Sequence, residues 1–221
     1  MIYIKLDGLI LDKKRIKEND GLIYILTKKY GILKCLLKGI YQAQSKNLSL
    51  LESGNFNRFF ILTDLEKFRI ISSLPIKIPL KSFKKNPYIF LWALKLIKNL
   101  NLPQTPPLVW FILLHLENYL KNNEKNFPPW FLFQVLKELG YEPDIERCHN
   151  CQRKLTKFAF FDRKRFLYCL NCKKESYLKI EEKELKKAKE IKNPINVPKD
   201  IPDFLKIILR FSLKHISKFE L

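Results

Sequence analysis

The chain has 221 residues, of which 47% are hydrophobic and 13% aromatic, so it can bury enough apolar surface to offset chain entropy and is not a disordered polymer. Forty-two Lys and Arg stand against 22 Asp and Glu, a formal charge of +20, which turns the surface toward polyanions such as nucleic acid or an anionic membrane. The charge is uneven: +7 over residues 1–80, +3 over 81–150 and +10 over 151–221, so the ends are suited to phosphate and the middle to a core.

Residues 2–11 (IYIKLDGLIL) contain Lys5 and Asp7 and alternate as a strand does, which predicts a strand and not a secretory signal. Four more β-branched and aromatic runs follow: 22–27 (LIYILT), 32–37 (ILKCLL), 56–62 (FNRFFIL) and 68–72 (FRIIS). Turn residues separate them at Asn19-Asp20-Gly21, Tyr30-Gly31, Ser53-Gly54-Asn55 and Asp64. Five short strands suit a small closed barrel of the OB type over residues 1–78, with an SH3-like barrel or an open meander as the competing forms.

From Pro79 the pattern becomes helical, and residues 79–221 are expected to form a helical domain. Segments 87–100, 107–121 and 128–139 each open on a proline, whose fixed φ suits a first helical turn. Gly140 is placed to cap the third. The most apolar run, 108–116 (LVWFILLHL), is too short to span a bilayer and reads as a buried helix. Further on, 181–191 predicts a charged helix. Segment 203–219 predicts an amphipathic one with Phe204, Ile207, Ile208, Phe211 and Ile216 on one face. The overall expectation is an α+β protein: soluble, cytoplasmic, with reduced cysteines.

Cys148-His-Asn-Cys151 and Cys169-Leu-Asn-Cys172 are two C-x-x-C pairs with 17 residues between them. Each pair offers two thiolates from one turn, and two such pairs complete the tetrahedral set that a structural zinc requires. Disulfides would need an oxidising compartment, a redox role rarely uses two such pairs, and an iron–sulfur cluster fits less well. The expectation is one structural zinc in a module at about 145–178, with His149 a bystander. Cys35 is expected in the barrel core. Between the pairs, Arg153, Lys154, Lys157, Arg163, Lys164 and Arg165 alternate with Phe158, Phe160, Phe161 and Phe166. That run describes either a hairpin with a solvated basic face or a rigid finger that touches phosphate.

Catalytic patterns are absent from the sequence. The six glycines are scattered, and His115, His149 and His215 fall in no metal or nucleophile motif. Glu18 with Asp20, and Asp144 with Glu146, read as loop and cap residues, so the chain is not expected to be an enzyme.

In order and in detail the chain resembles the RecO family of bacterial recombination mediators. The most specific stretch is Leu139-Gly140-Tyr141-Glu142-Pro143 leading into Cys148. Gly8-Leu9-Ile10-Leu11, Glu18-x-Asp20, Thr27, Gly31, Lys38-Gly39, Ser45 and Leu50-Leu51-Glu52 follow the same family order, and Leu209-Arg210 fits its C-terminal helix. Departures are also present. Ile40-Tyr41-Gln42 follow Lys38-Gly39 where a small residue and arginines are usual, and Ser53 stands at a common proline. Gln152 and Arg165-Phe166 replace glycines often found around the zinc hairpin.

The resemblance implies a non-enzymatic protein that binds single- and double-stranded DNA, anneals complementary strands and contacts the tail of single-strand-binding protein. With RecR it would help to load RecA. On that reading the DNA contacts are Lys34, Lys38, Lys46 and Arg58 on the barrel and Arg163, Lys164 and Arg165 on the finger. Tyr41 is a candidate stacking residue, and association with the nucleoid follows. The competing functions are a zinc-containing interaction adaptor and an RNA-binding protein with barrel and zinc module, with a nuclease more distant.

Overall fold

The structure is a computed structural model describing residues 1–42, 51–64, 66–77 and 87–216, with the side chains of 121–123, 215 and 216 outside the description. The chain divides into two compact units, Met1–Glu117 and Asn118–Leu221.

In the first unit, β1 (Ile2–Arg15), β2 (Gly21–Thr27), β3 (Gly31–Leu37), β4 (Phe56–Thr63) and β5 (Phe68–Lys77) form a closed barrel. The strand order is β1-β2-β3-β5-β4. Neighbours are antiparallel except for the closing seam, where β3 and β5 run parallel through Cys35↔Phe68 and Leu36↔Arg69. Alternation drives the closure. Leu33, Cys35 and Leu37 point inward with Ile10, Ile23, Ile25, Phe59, Ile61 and Ile70, while Lys34 points out. Each such buried side chain contributes roughly 1.5–3 kcal/mol. Cys35 is fully buried, as the sequence predicts, and burial pushes its thiol up to about 12.

Two strands run beyond their apolar cores. The polar Asp12–Arg15 end of β1 is held by pairing with Tyr24–Gly21, after a register shift between Ile10 and Asp12. β5 continues to Lys77 because β4 pairs with it through two further register shifts. Between β2 and β3, the Thr27 hydroxyl donates to the Gly31 carbonyl at 3.0 Å and accepts from the Tyr30 N–H at 3.0 Å. Gly31 itself has φ +60°, and a Cβ there would lie 2.3 Å from the Leu102 carbonyl oxygen. Only glycine fits that conformation at that approach.

Two helices belong to the same unit. α1 (Pro87–Leu100) buries Phe90, Ala93, Leu94, Leu96 and Ile97. Its Lys98 pairs with Asp12 and places its ammonium 4.5 Å from the Tyr24 ring centre. α2 (Pro107–Leu114) sets Trp110 edge-on to Phe56 at 5.8 Å. The single helix expected over 107–121 is two: the backbone leaves helical geometry at His115 (φ −112°, ψ 21°), and α3 (Leu116–Asn123) follows. The break falls where an apolar sequence gives way to a polar one.

In the second unit α4 (Phe127–Glu138) is the central element, burying Phe127, Trp130, Phe131, Phe133, Val135 and Leu136. Gly140 ends it at φ +76°, with Gly140 N–H bonded to Lys137 C=O at 3.0 Å and Tyr141 N–H to Leu136 C=O at 2.8 Å. This is a Schellman cap, and it is what the glycine in Leu139-Gly140-Tyr141 supplies. After the cysteine segment the chain comes back to α4. Trp130 Nε1 donates to Asn193 C=O at 2.9 Å, Gln134 Nε2 to Ile191 C=O at 2.7 Å and Asn126 Nδ2 to Lys199 C=O at 2.8 Å.

α5 (Glu182–Lys189) starts on a capping box of Glu181 and Glu184. α6 (Asp203–Ile216) packs on α4. Its buried stripe is Phe204, Leu205, Ile208, Leu209 and Leu213, whereas Ile207 and Phe211 are over a third exposed. The stripe is thus rotated from the expected face toward Leu205, Leu209 and Leu213. Among the described residues no helix is long and apolar enough to cross a membrane.

Candidate metal centre and basic hairpin

The cysteine segment is built around a three-stranded sheet of order β7-β6-β8: β6 (Phe158–Phe161), β7 (Leu167–Tyr168) and β8 (Leu178–Glu181). One face of β6 buries Ala159 and Phe161 against the unit's core, Phe161 lying 6.1 Å from Phe204. The Arg147–Lys154 bridge closes the first cysteine turn, and Cys148 N–H bonds to Arg153 C=O at 2.8 Å.

These turns bring Cys148, Cys151, Cys169 and Cys172 together, their sulfur atoms all within 4.8 Å of one another. Cys151 and Cys169 Sγ are 3.6 Å apart, close to the roughly 3.8 Å edge of a tetrahedron with metal–sulfur bonds of about 2.3 Å. The four could hold one metal ion. The electrostatics agree. Burial pushes the Cys148 thiol up, but backbone N–H groups of Cys151, Cys169 and Asn150 and the Cys151 side chain outweigh it and bring it down to about 6. The Asn150 side chain, donating to Cys172 Sγ at 3.6 Å, draws that thiol down. Burial and the other three sulfurs overcome this and lift it to about 11. Four sulfurs this close cannot all be thiolates without a cation among them, which is the chemistry of a metal-binding set.

His149 stands outside that cluster. Its ring stacks on Phe166 at 3.7 Å, a contact that spacing alone does not reveal. Gln152 takes φ +57°, the left-handed conformation that a glycine would adopt without strain. Its N–H bonds to Cys148 C=O at 2.9 Å and its Nε2 to His149 C=O at 3.2 Å, so the turn keeps its shape without the glycine.

The β6–β7 turn carries the predicted basic residues. Asp162 Oδ1 accepts the backbone N–H groups of Lys164, Arg165 and Phe166 at 2.8, 2.8 and 3.1 Å, and Arg163 sits at φ +60°. Arg163 and Lys164 are exposed, and Arg165 is half-buried with its guanidinium 5.4 Å from the Phe166 ring centre. Asp162 is the organising residue that the sequence reading misses, although Asp before a run of three polar residues is the usual signature of such a turn.

On the barrel, Lys34 is exposed in mid-β3 and Lys38 in the turn that follows it. That turn is fixed by Gly39 N–H donating to Asp20 Oδ1 at 3.0 Å. Arg58 lies on β4, bound to Asp7. Lys46 and Ser45 lie outside the described residues. Tyr41 is half-buried against the barrel core, with the Arg15 guanidinium 4.8 Å from its ring centre. Lys34 and Lys38 share one strand and its turn, whereas Arg58 is on a strand that is not their neighbour.

A closed five-stranded barrel followed by a helical unit with a four-cysteine cluster defines a mixed α+β protein with a candidate metal module. The family model for the N-terminal part of recombination protein O matches residues 1–73, and that for its C-terminal part matches 108–215. The chain belongs to the RecO family. Its relatives include proteins named DNA repair protein RecO. That of Thermodesulfovibrio yellowstonii is 25% identical over 177 residues, covering 77% of this chain and 70% of the relative. That of Mesoplasma florum is 26% identical over 191 residues, 80% and 69%. That of Rickettsia bellii is 31% identical over 153 residues, 66% and 61%.

Proposed function

We propose that this chain is a DNA-binding recombination mediator in repair, with an OB-type barrel and one structural zinc. The observation that carries the reading is the joint match: both halves of the family are present, in order, and they contain the barrel and the cysteine cluster respectively. Cys148, Cys151, Cys169 and Cys172 would hold zinc in a closed site, which leaves no open position for catalysis and serves to staple β6–β8 to the two cysteine turns. The net charge of +20 supports contact with a phosphate backbone, through Lys34, Lys38 and Lys46 with Arg58 on the barrel and Arg163, Lys164 and Arg165 on the hairpin.

The mediator binds single- and double-stranded DNA and anneals complementary strands. With RecR it helps RecA onto strands coated by single-strand-binding protein, whose C-terminal tail it contacts. No membrane takes part, and the protein works in the cytoplasm at the nucleoid. Fluorescence anisotropy with single-stranded DNA across a salt series, with zinc content measured in parallel, tests the reading. Tight binding that falls steeply with salt at one zinc per chain is expected. Absent or salt-independent binding at full zinc occupancy would overturn it.

A further inference from the structure

Beside the cysteine cluster, planar side chains gather around one stacked pair. His149 and Phe166 stack with ring centres 3.7 Å apart and planes 13° from parallel. The Arg165 guanidinium lies 5.4 Å from the Phe166 centre. Tyr168 meets His149 at 81° and 5.8 Å, and Tyr177 lies 4.8 Å beyond Tyr168. The group is not core: His149 is exposed, and Phe166, Tyr168 and Tyr177 are only half-buried. Nor does His149 belong to the metal-ligating group.

The backbone under this group is pinned by hydrogen bonds. His149 donates its N–H to Leu167 C=O at 2.8 Å, and Asp162 clamps the turn that carries Phe166. The same turn presents Arg163 and Lys164 to solvent. Residues 145–181 carry ten Lys and Arg against four Asp and Glu. An exposed flat ring, backed by a second ring and bordered by cations, offers what an unpaired nucleotide needs: a π-face for the base and charge for its phosphates.

We propose that His149 is a base-stacking residue. An unpaired base of single-stranded DNA lies on the exposed face of the His149–Phe166 stack, and Arg163 and Lys164 meet the phosphates on either side. The proposal rests on the DNA-binding reading above and adds a selectivity to it, because a base inside a duplex offers no free face.

The test uses the full-length, zinc-loaded protein and an oligo-dT strand containing one 2-aminopurine, alone and annealed to its complement. Stacking quenches the probe, and anisotropy gives the affinity. His149→Ala and His149→Gln are each expected to weaken single-strand binding about five-fold or more and to relieve the quenching. Duplex affinity and zinc content stay unchanged, and His149→Phe retains both binding and quenching. Unchanged single-strand affinity and quenching in the two ring-less variants at full zinc occupancy would overturn the proposal, as would an equal loss on single strand and duplex. Wild-type protein that binds neither form would instead overturn the DNA-binding reading itself.

Discussion

Arg58 on β4 closes on both carboxylate oxygens of Asp7 on β1, Nε to Oδ1 at 2.7 Å and Nη2 to Oδ2 at 3.0 Å, the two residues being register partners across the strands. The hydrogen bond from Arg58 is the main reason that the Asp7 carboxyl sits below its ordinary value. Burial opposes it, and the charges of Arg58 and Lys5 add to it. A phosphate that reaches Arg58 must therefore compete with a carboxylate already in place. Asp7→Asn should raise single-strand affinity two- to threefold at low salt, read by anisotropy. An unchanged affinity would mean that Arg58 lies off the DNA path.

The same pair has a pH signature. Asp7 has a lower pKa folded than unfolded. Its stabilisation is therefore complete above the unfolded value of about 3.9 and fades as pH falls through the depressed folded value. Urea midpoints of wild type and Asp7→Asn should differ at pH 7 and converge in strong acid. With side chains 42% and 38% exposed, solvent screening keeps the difference small.

Replacing Lys34, Lys38, Lys46 and Arg58 together by alanine should weaken single-strand binding and flatten its dependence on salt. Every phosphate that is no longer neutralised takes about 0.7 from the slope of log K against log salt. The three lysines should account for most of the change, since Arg58 is engaged with Asp7. An intact slope would move the phosphate-binding surface to the hairpin.

Cys169→Ser removes a buried member of the sulfur cluster. Metal content measured by atomic emission should fall from about one ion per chain to near zero. The β6–β8 sheet should lose protection in hydrogen exchange while the barrel keeps its own, because the cysteines and the barrel belong to different compact units. Retained metal would place the binding set elsewhere.

Gly31→Ala should cost the barrel at least about 1–2 kcal/mol from left-handed strain alone. The cost rises further because the new Cβ would meet the Leu102 carbonyl oxygen. Denaturant unfolding measures it, and a loss below that range would show that the β2–β3 turn can relax.

What is legible in the sequence is whatever repeats with the period of its element. The five strands follow from alternation in runs such as Ile32–Leu37, and Cys35 is buried because its neighbours in register are. The cysteine cluster follows from spacing, since two short turns each fix two sulfurs. The polar extension of β1 through Arg15 is illegible, because pairing with β2, and not composition, keeps it a strand. The Arg58–Asp7 pair joins residues 51 apart, and the His149–Phe166 stack joins residues on different turns. Both depend on register that no local pattern encodes. Spacing keeps His149 out of the ligand set, but only the folded chain reveals the ring it stacks on instead.

Gln152 shows how a sequence can keep a shape while changing its energetics. A non-glycine residue at φ +57° carries about 1 kcal/mol of backbone strain in the closed cysteine turn, and none once that turn opens. Relative to a glycine at the same place, this would work against any ion the cluster holds, by about five-fold in affinity. The hydrogen bonds to Cys148 and His149 carbonyls offset part of that. For an ion held by the four cysteines, a penalty of that size is small beside the roughly 10–16 kcal/mol typical of structural zinc, so Gln152 would tune affinity without deciding occupancy.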